Sequence, residues 1–263
     1  MSYVGWLSGA FTRFRSGVCR LDLRPHSLGG ILDPVVRHAQ PVVVISNFSY
    51  LVWEWMHGAE QSIERLAHAQ GIPCDAHPKR DIIAIAREDL KLLLKGINHW
   101  NFNCWDAPGV PLPSVLERQD TVMATIACWY PHTPALHDLD GARLFVYSHD
   151  NVYLTVEARG PALVREVFAR AIEGLVASHV ERATGRTDPR VEPLPDEVID
   201  YFWTSLPAFE IRIAEVSGKP GRVQLDFDER GAGVRGLRGR SDFQPHGHLD
   251  YDLRTGDWVH RYR

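Results

Sequence analysis

The chain lacks most of what would specify a covalent or membrane framework. Its 263 residues hold only four cysteines, Cys19, Cys74, Cys104 and Cys128. They are widely spaced with no CxxC pair, which excludes a disulfide scaffold and suits free thiols in a reducing cytosol. No apolar run approaches the roughly 20 residues that cross a bilayer, and the start lacks the apolar core of a secretory signal. The expectation is a soluble, cytoplasmic protein without a transmembrane segment. A strong charge of one sign is missing too. With Lys+Arg 29 against Asp+Glu 33 the net charge is −4, so there is no basic surface of the kind specific nucleic-acid binding needs. Internal repeats are absent.

What is present is ordinary globular composition, 44% hydrophobic and 24% charged, long enough for one large domain or two modest ones. The most informative stretch is 142–183. Leu144 to Tyr147 and Val152 to Val156 are β-branched and aromatic, with turn chemistry at His149-Asp150-Asn151. After Gly160-Pro161, Leu163, Val164, Val167, Phe168, Ala171, Ile172, Leu175, Val176 and Val180 fall on one stripe at helical spacing. Arg165, Glu166, Arg170 and Glu173 fall off it. The pattern predicts a hairpin followed by a long helix over about 161–183.

Upstream, Tyr3, Trp6, Leu7, Ala10, Phe11, Phe14 and Val18 trace a helical stripe flanked by Arg13, Arg15 and Arg20. This predicts a basic amphipathic helix over 3–18, docked on the core or in contact with a membrane surface. Strands are expected at 18–24 and 41–46. Helices are expected at 50–70 and 78–96, forming an antiparallel pair. Residues 98–118 carry Pro108, Pro111 and Pro113 and read as an irregular boundary between lobes. Thr121 to Tyr130 reads as a strand, 195–206 as a short helix, and 208–216 with 222–228 as a hairpin. The fold class is α+β: N-terminal helices, then a mostly antiparallel sheet with the long helix on one face. It forms a single globular unit, or two lobes, with a mainly helical lobe at 1–115 and a sheet-plus-helix lobe at 116–263.

No catalytic set assembles from spacing alone. A thiolate nucleophile at Cys104 would need a helix N-terminus behind it, which the three prolines forbid. Gly231, Gly233 and Gly236 have G-x-G-x-x-G spacing, but no βαβ unit surrounds them, which excludes a dinucleotide cofactor. Arg230, Arg235, Arg238 and Arg240 interleave with these glycines as a loop able to meet an anion. Cys74 with His77, His132 with His137 and Asp138, and His246, His248 and Asp250 near His260 do not repeat at zinc spacing, so no metal is expected.

The best-supported surface is acidic and aromatic. Glu192, Asp196, Glu197 and Asp200 lie on or beside a short helix with Tyr201 and Trp203, a composition that suits a basic protein partner. The plainer alternative is that the acids cap the helix while Phe202 and Trp203 fill the core. The functional expectation is a binding protein that occludes a macromolecular partner, as an antitoxin-like or immunity-type inhibitor does, rather than an enzyme. The alternative is a small-molecule enzyme whose His, Asp and Arg residues converge only in three dimensions. The C-terminal hairpin bears on this choice. A two-residue Thr255-Gly256 turn sets Asp250 opposite Arg261 as scaffold, whereas a three-residue loop sets Asp250 opposite His260 as a proton-transfer or metal pair. The apolar pattern favours the scaffold register.

Overall fold

The computed structural model describes residues 3–24, 30–47, 62–77, 81–95, 102–108, 133–149, 153–187, 189–214, 221–229, 243 and 245–262. They form two compact units. Unit 1 comprises Met1–Thr12, Leu21–Ile31 and Arg165–Arg263, and unit 2 comprises Arg13–Arg20 and Leu32–Val164. The class is α+β with antiparallel strand pairing, as expected. The order of elements is not: the chain opens with strands β1 (Tyr3–Arg13) and β2 (Val18–Arg24), and its first described helix, α1, is Leu32–His38.

In unit 1 the strand order is β12-β11-β10-β9-β1-β2, with β9 at Ala208–Ala214, β10 at Arg222–Glu229, β11 at Gly247–Asp252 and β12 at Trp258–Tyr262. The long helix α4 (Ala162–Thr184) and the shorter α5 (Asp196–Ser205) complete it. Every apolar position of the predicted α4 stripe is buried. Its Phe168 ring meets Phe11 of β1 at 5.2 Å, Phe209 of β9 at 5.1 Å and Phe202 of α5 at 5.0 Å. This aromatic cluster is the core of the unit.

The helix expected over 3–18 is therefore a strand and a turn, and the amphipathic helix on which membrane-surface contact rested does not exist. Pairing with β9 sets Leu7 opposite Ile211 and Gly9 opposite Phe209. A Cβ on Gly9 would stand 2.5 Å from the Asp22 carbonyl oxygen and 2.8 Å from the Phe209 ring, so only glycine allows this strand to lie so close to its neighbours. Glycine at an inward position is also what blurs the two-residue alternation.

In unit 2 the order is β2-β8-β7-β6-β3-β5-β4. The strands are β3 (Val42–Asn47), β4 (Cys74–Ala76), β5 (Ile82–Ala86), β6 (Phe102–Ala107), β7 (Leu144–His149) and β8 (Tyr153–Arg159), joined by helices α2 (Ile63–Ala69) and α3 (Leu90–Lys95). One sheet face forms a core with a 3-10 turn at Ala135–His137, where Val44, Trp105 and Phe145 pack on Leu136 and Leu139. Two expectations fail here for one reason. Ile82–Ala86 is a strand rather than part of a helix, and residues 102–107 within the supposedly irregular boundary are β6, buried at every position. Both are covered on both faces, so neither alternates: the apolar run of β5 does not distinguish strand from helix, and the buried Asn103 and Asp106 make β6 read as polar and irregular. The helix predicted over 50–70 is present as α2 in its described part, and the predicted strand 121–130 lies outside the described residues.

Two buried carboxylates hold unit 2 together. Asp106 on β6 accepts from the backbone N–H groups of Arg143 (2.7 Å) and Leu144 (2.9 Å) through one oxygen and Gln40 (3.0 Å) through the other. Glu157 on β8 accepts from Arg20 Nη2 at 2.6 Å and Nε at 2.9 Å, and from Leu136 N–H at 3.1 Å. Buried charge is tolerable only with such partners.

Candidate functional site

Helix α5 begins after Pro195, whose missing N–H costs nothing there. Asp196 and Glu197 occupy its first turn, where the helix dipole favours carboxylates. Its inner face buries Val198, Ile199, Phe202 and Trp203. The run into the helix is pinned from three sides. Leu194 N–H donates to Glu173 Oε1 at 2.9 Å, Glu192 N–H to the Tyr251 hydroxyl at 3.0 Å, and Trp258 Nε1 to the Glu192 carbonyl at 3.0 Å. Glu173 was expected off the buried stripe of α4, yet it is buried. Burial pushes its carboxyl above the usual range, against the backbone bond from Leu194 and the nearby Arg170 guanidinium.

The predicted partner-binding residues separate into four groups. Trp203 is a core residue, edge-on to Phe11 at 5.1 Å, so it is no surface anchor. Asp200 is exposed but accepts from Arg165 Nη1 at 2.5 Å. Glu192, Asp196 and Glu197 are exposed. Glu192 lies 3.5 Å from Arg190; no ion pair forms at Asp196 or Glu197 among the described residues. Tyr201, four residues after Glu197 and so on the same helical face, stacks on Tyr262 of β12 with ring centroids 3.9 Å apart. Tyr262 is 39% exposed. Both hydroxyls have raised pKa values: burial leads in each case, helped by Glu229 at Tyr201 and by Tyr201 and Glu197 at Tyr262. The surface therefore combines an aromatic ledge with carboxylates that attract a cation and resist a second anion.

Arg230, Arg235, Arg238 and Arg240, with their glycines, lie outside the described residues. Among the described residues, no group of three or more His, Cys, Asp or Glu side chains is arranged to hold a metal ion. Cys104 is fully buried in β6, and burial pushes its thiol far up, the opposite of an activated nucleophile. No described helix is long and apolar enough to cross a membrane.

The C-terminal hairpin adopts neither expected register. Asp250 faces Val259 and His260 faces Leu249, around a four-residue loop, 253–256. Gly256 takes φ +79° and donates to the Asp252 carbonyl at 2.8 Å, while the Asp252 carboxylate accepts from Arg254 N–H at 2.9 Å and Thr255 N–H at 3.1 Å. The slip from the two-residue-turn register is two positions, so Leu249, Tyr251, Trp258 and His260 keep their shared face. Asp250 meets neither Arg261 nor His260 across the strands.

Sequence reasoning missed what the other face of the unit 1 sheet assembles. Register places Trp6, Arg212, Asp226, His248 and Arg261 in one row across five strands, since directly paired residues point the same way. Beside it, Asp228 Oδ1 lies 2.8 Å from His246 Nδ1, and Arg212 donates to Glu210 at 2.8 Å beneath the Phe243 ring. The alternation of AFEIRIAEV and RVQLDFD fixes which residues share this face; their cross-strand partners depend on register, which alternation leaves open. No family model matches the chain, and no curated protein or solved structure is significantly similar to it.

Proposed function

We propose that the protein is a binding protein that engages a basic macromolecular partner through the outer face of α5 and the neighbouring end of β12, occluding the partner as an immunity-type or antitoxin-like inhibitor does. One observation carries the reading: Asp196 and Glu197 are exposed beside the stacked Tyr201–Tyr262 pair and form no ion pair among the described residues. Capping accounts for carboxylates in a first turn, but a partly exposed aromatic pair flanked by uncompensated charge is also suited to a desolvated anchor with electrostatic steering. Trp203 is removed from the proposed surface and Tyr262 joins it.

The test is affinity capture from native lysate with mass spectrometry, followed by association kinetics of the identified partner. Asp196→Lys with Glu197→Lys should slow association about tenfold or more at low salt and flatten its salt dependence, with the fold intact and the thermal midpoint lowered by only a few degrees as the favourable dipole contacts are lost. Kinetics identical to wild type would remove this surface.

A second reading, a small-molecule enzyme, is favoured by the Asp228–His246 hydrogen bond, because a carboxylate that fixes one ring nitrogen leaves the other oriented for proton transfer. His246→Ala should abolish any turnover that a substrate screen detects.

A further inference from the structure

Unit 2 contains a row of polar side chains where its fold calls for apolar ones. Register aligns Ile82, Ser46, Asn103, Tyr147 and Thr155 across five strands on one sheet face. The adjacent row on that face is Ala84, Val44, Trp105, Phe145 and Glu157, which is apolar until its last member. At about 4.8 Å between strands, the four polar residues span roughly 14 Å. Ser46 is 2% exposed and Asn103 is 0% exposed. The Ser46 hydroxyl and both the oxygen and the nitrogen of the Asn103 amide are buried with no hydrogen-bond partner among the described residues.

Nearby buried polar groups behave differently. Asp106 is engaged by three backbone N–H groups, and Glu157 by Arg20 and Leu136. Other orphaned atoms of this unit, such as Gln70 Oε1 and Asp81 Oδ2, stand singly, whereas Ser46 and Asn103 are direct cross-strand partners. Neighbouring orphaned groups on one face need another explanation, because an unpaired buried donor or acceptor destabilises the fold that carries it. Ser148, also orphaned, lies on the opposite face and is not part of the row.

We infer that Ser46 and Asn103, flanked by Tyr147 and Thr155, form the recognition edge of a binding site for a small neutral molecule that presents an adjacent hydrogen-bond donor and acceptor. The side-chain amide of asparagine offers one donor edge and one acceptor edge, which match a primary carboxamide or the amidine edge of a nucleobase. Neutrality follows from Arg20 and Glu157. Glu157 stands two residues along β8 from Thr155, and it closes on Arg20 at 2.6 Å, so the pair presents no net charge for an ionic ligand to read. Ile82 and Trp105 supply the apolar wall that a flat ligand needs.

The test compares wild type with Asn103→Leu and the milder Ser46→Ala by thermal unfolding and by ligand-observed NMR. The probes are nicotinamide and adenine, which are neutral, and nicotinate, which is charged, each at about 10 mM so that a Kd of about 1 mM is detected. Wild type should bind at least one neutral probe and discriminate against nicotinate about tenfold. Both variants should lose that binding, while their midpoints rise by about 2–4 °C as the orphaned groups are removed. Preference between nicotinamide and adenine distinguishes a carboxamide from a base. A fall in midpoint for both variants would show that the groups are already satisfied, by ordered water or by neighbours, and would overturn the inference. So would failure of both neutral probes to bind wild type, whatever the midpoints do.

Discussion

Unit 1 and unit 2 are both antiparallel sheets with helices, yet they bury their strands differently. In unit 1, β9 and β11 alternate between buried and half-buried positions, because one face packs on aromatic residues from α4 and α5 while the other carries Arg212, Asp226 and His248. In unit 2, the first four residues of β5 are buried and β6 is buried throughout. A strand covered once records its sheet in a two-residue period; a strand covered twice erases it. The difference also decides where polar groups stand. On the strands of unit 1 they lie mainly on one sheet face, with Glu173 of α4 a buried exception bonded to Leu194, and in unit 2 they sit inside, where each needs a partner.

The sharpest way to break this comparison is Phe168→Asp. The ring is the shared neighbour of Phe11, Phe202 and Phe209, and an unpaired buried charge there should cost at least about 3–5 kcal/mol, a large part of a domain's stability. Cooperative unfolding below room temperature, or expression only as insoluble material, is expected by circular dichroism. An unchanged midpoint would place the core of unit 1 elsewhere. The counterpart in unit 2 is Arg20→Ala, which takes both guanidinium bonds from the buried Glu157. A loss of about 3 kcal/mol in urea denaturation is expected.

A smaller effect comes from pH. Asp81 accepts from Ile63 N–H at 2.7 Å, yet burial raises its carboxyl to about 6, with Glu64 adding to the rise. Its folded pKa exceeds the unfolded value, so protonation favours the folded state. The stabilisation is complete below about pH 4 and is lost as pH rises through 6. The midpoint of wild type should therefore carry a downward component between pH 4 and 6 that Asp81→Asn removes. Two superimposable pH profiles would contradict this. Smallest of all is Arg165→Ala. Its bond to the exposed Asp200 should be worth no more than about 1 kcal/mol, while the freed carboxylate makes the α5 surface more acidic and speeds capture of a basic partner.

How much of this was legible follows the same division. The stripe of α4 and the hairpin of β9 with β10 were readable because one covered face imposes one period. Strand β1 was misread because Gly9 occupies an inward position while Trp6 points outward, 45% exposed; a helical stripe fits those residues equally well. The acids of α5 were visible as a cluster, but whether Trp203 faced inward depended on packing against Phe11, about 190 residues away in the chain. The Ser46–Asn103 row was invisible, since nothing short of register shows that residues so far apart share a face.

The central claim is that the face of α5 and the end of β12 is where a partner binds. Amide hydrogen exchange of the protein alone and with its captured partner tests it most directly. The account predicts slowed exchange over 190–205 and 258–262, with 222–229 and 246–252 unchanged. Protection confined to 222–229 and 246–252 would contradict it and move function to the face that carries Asp228 and His246.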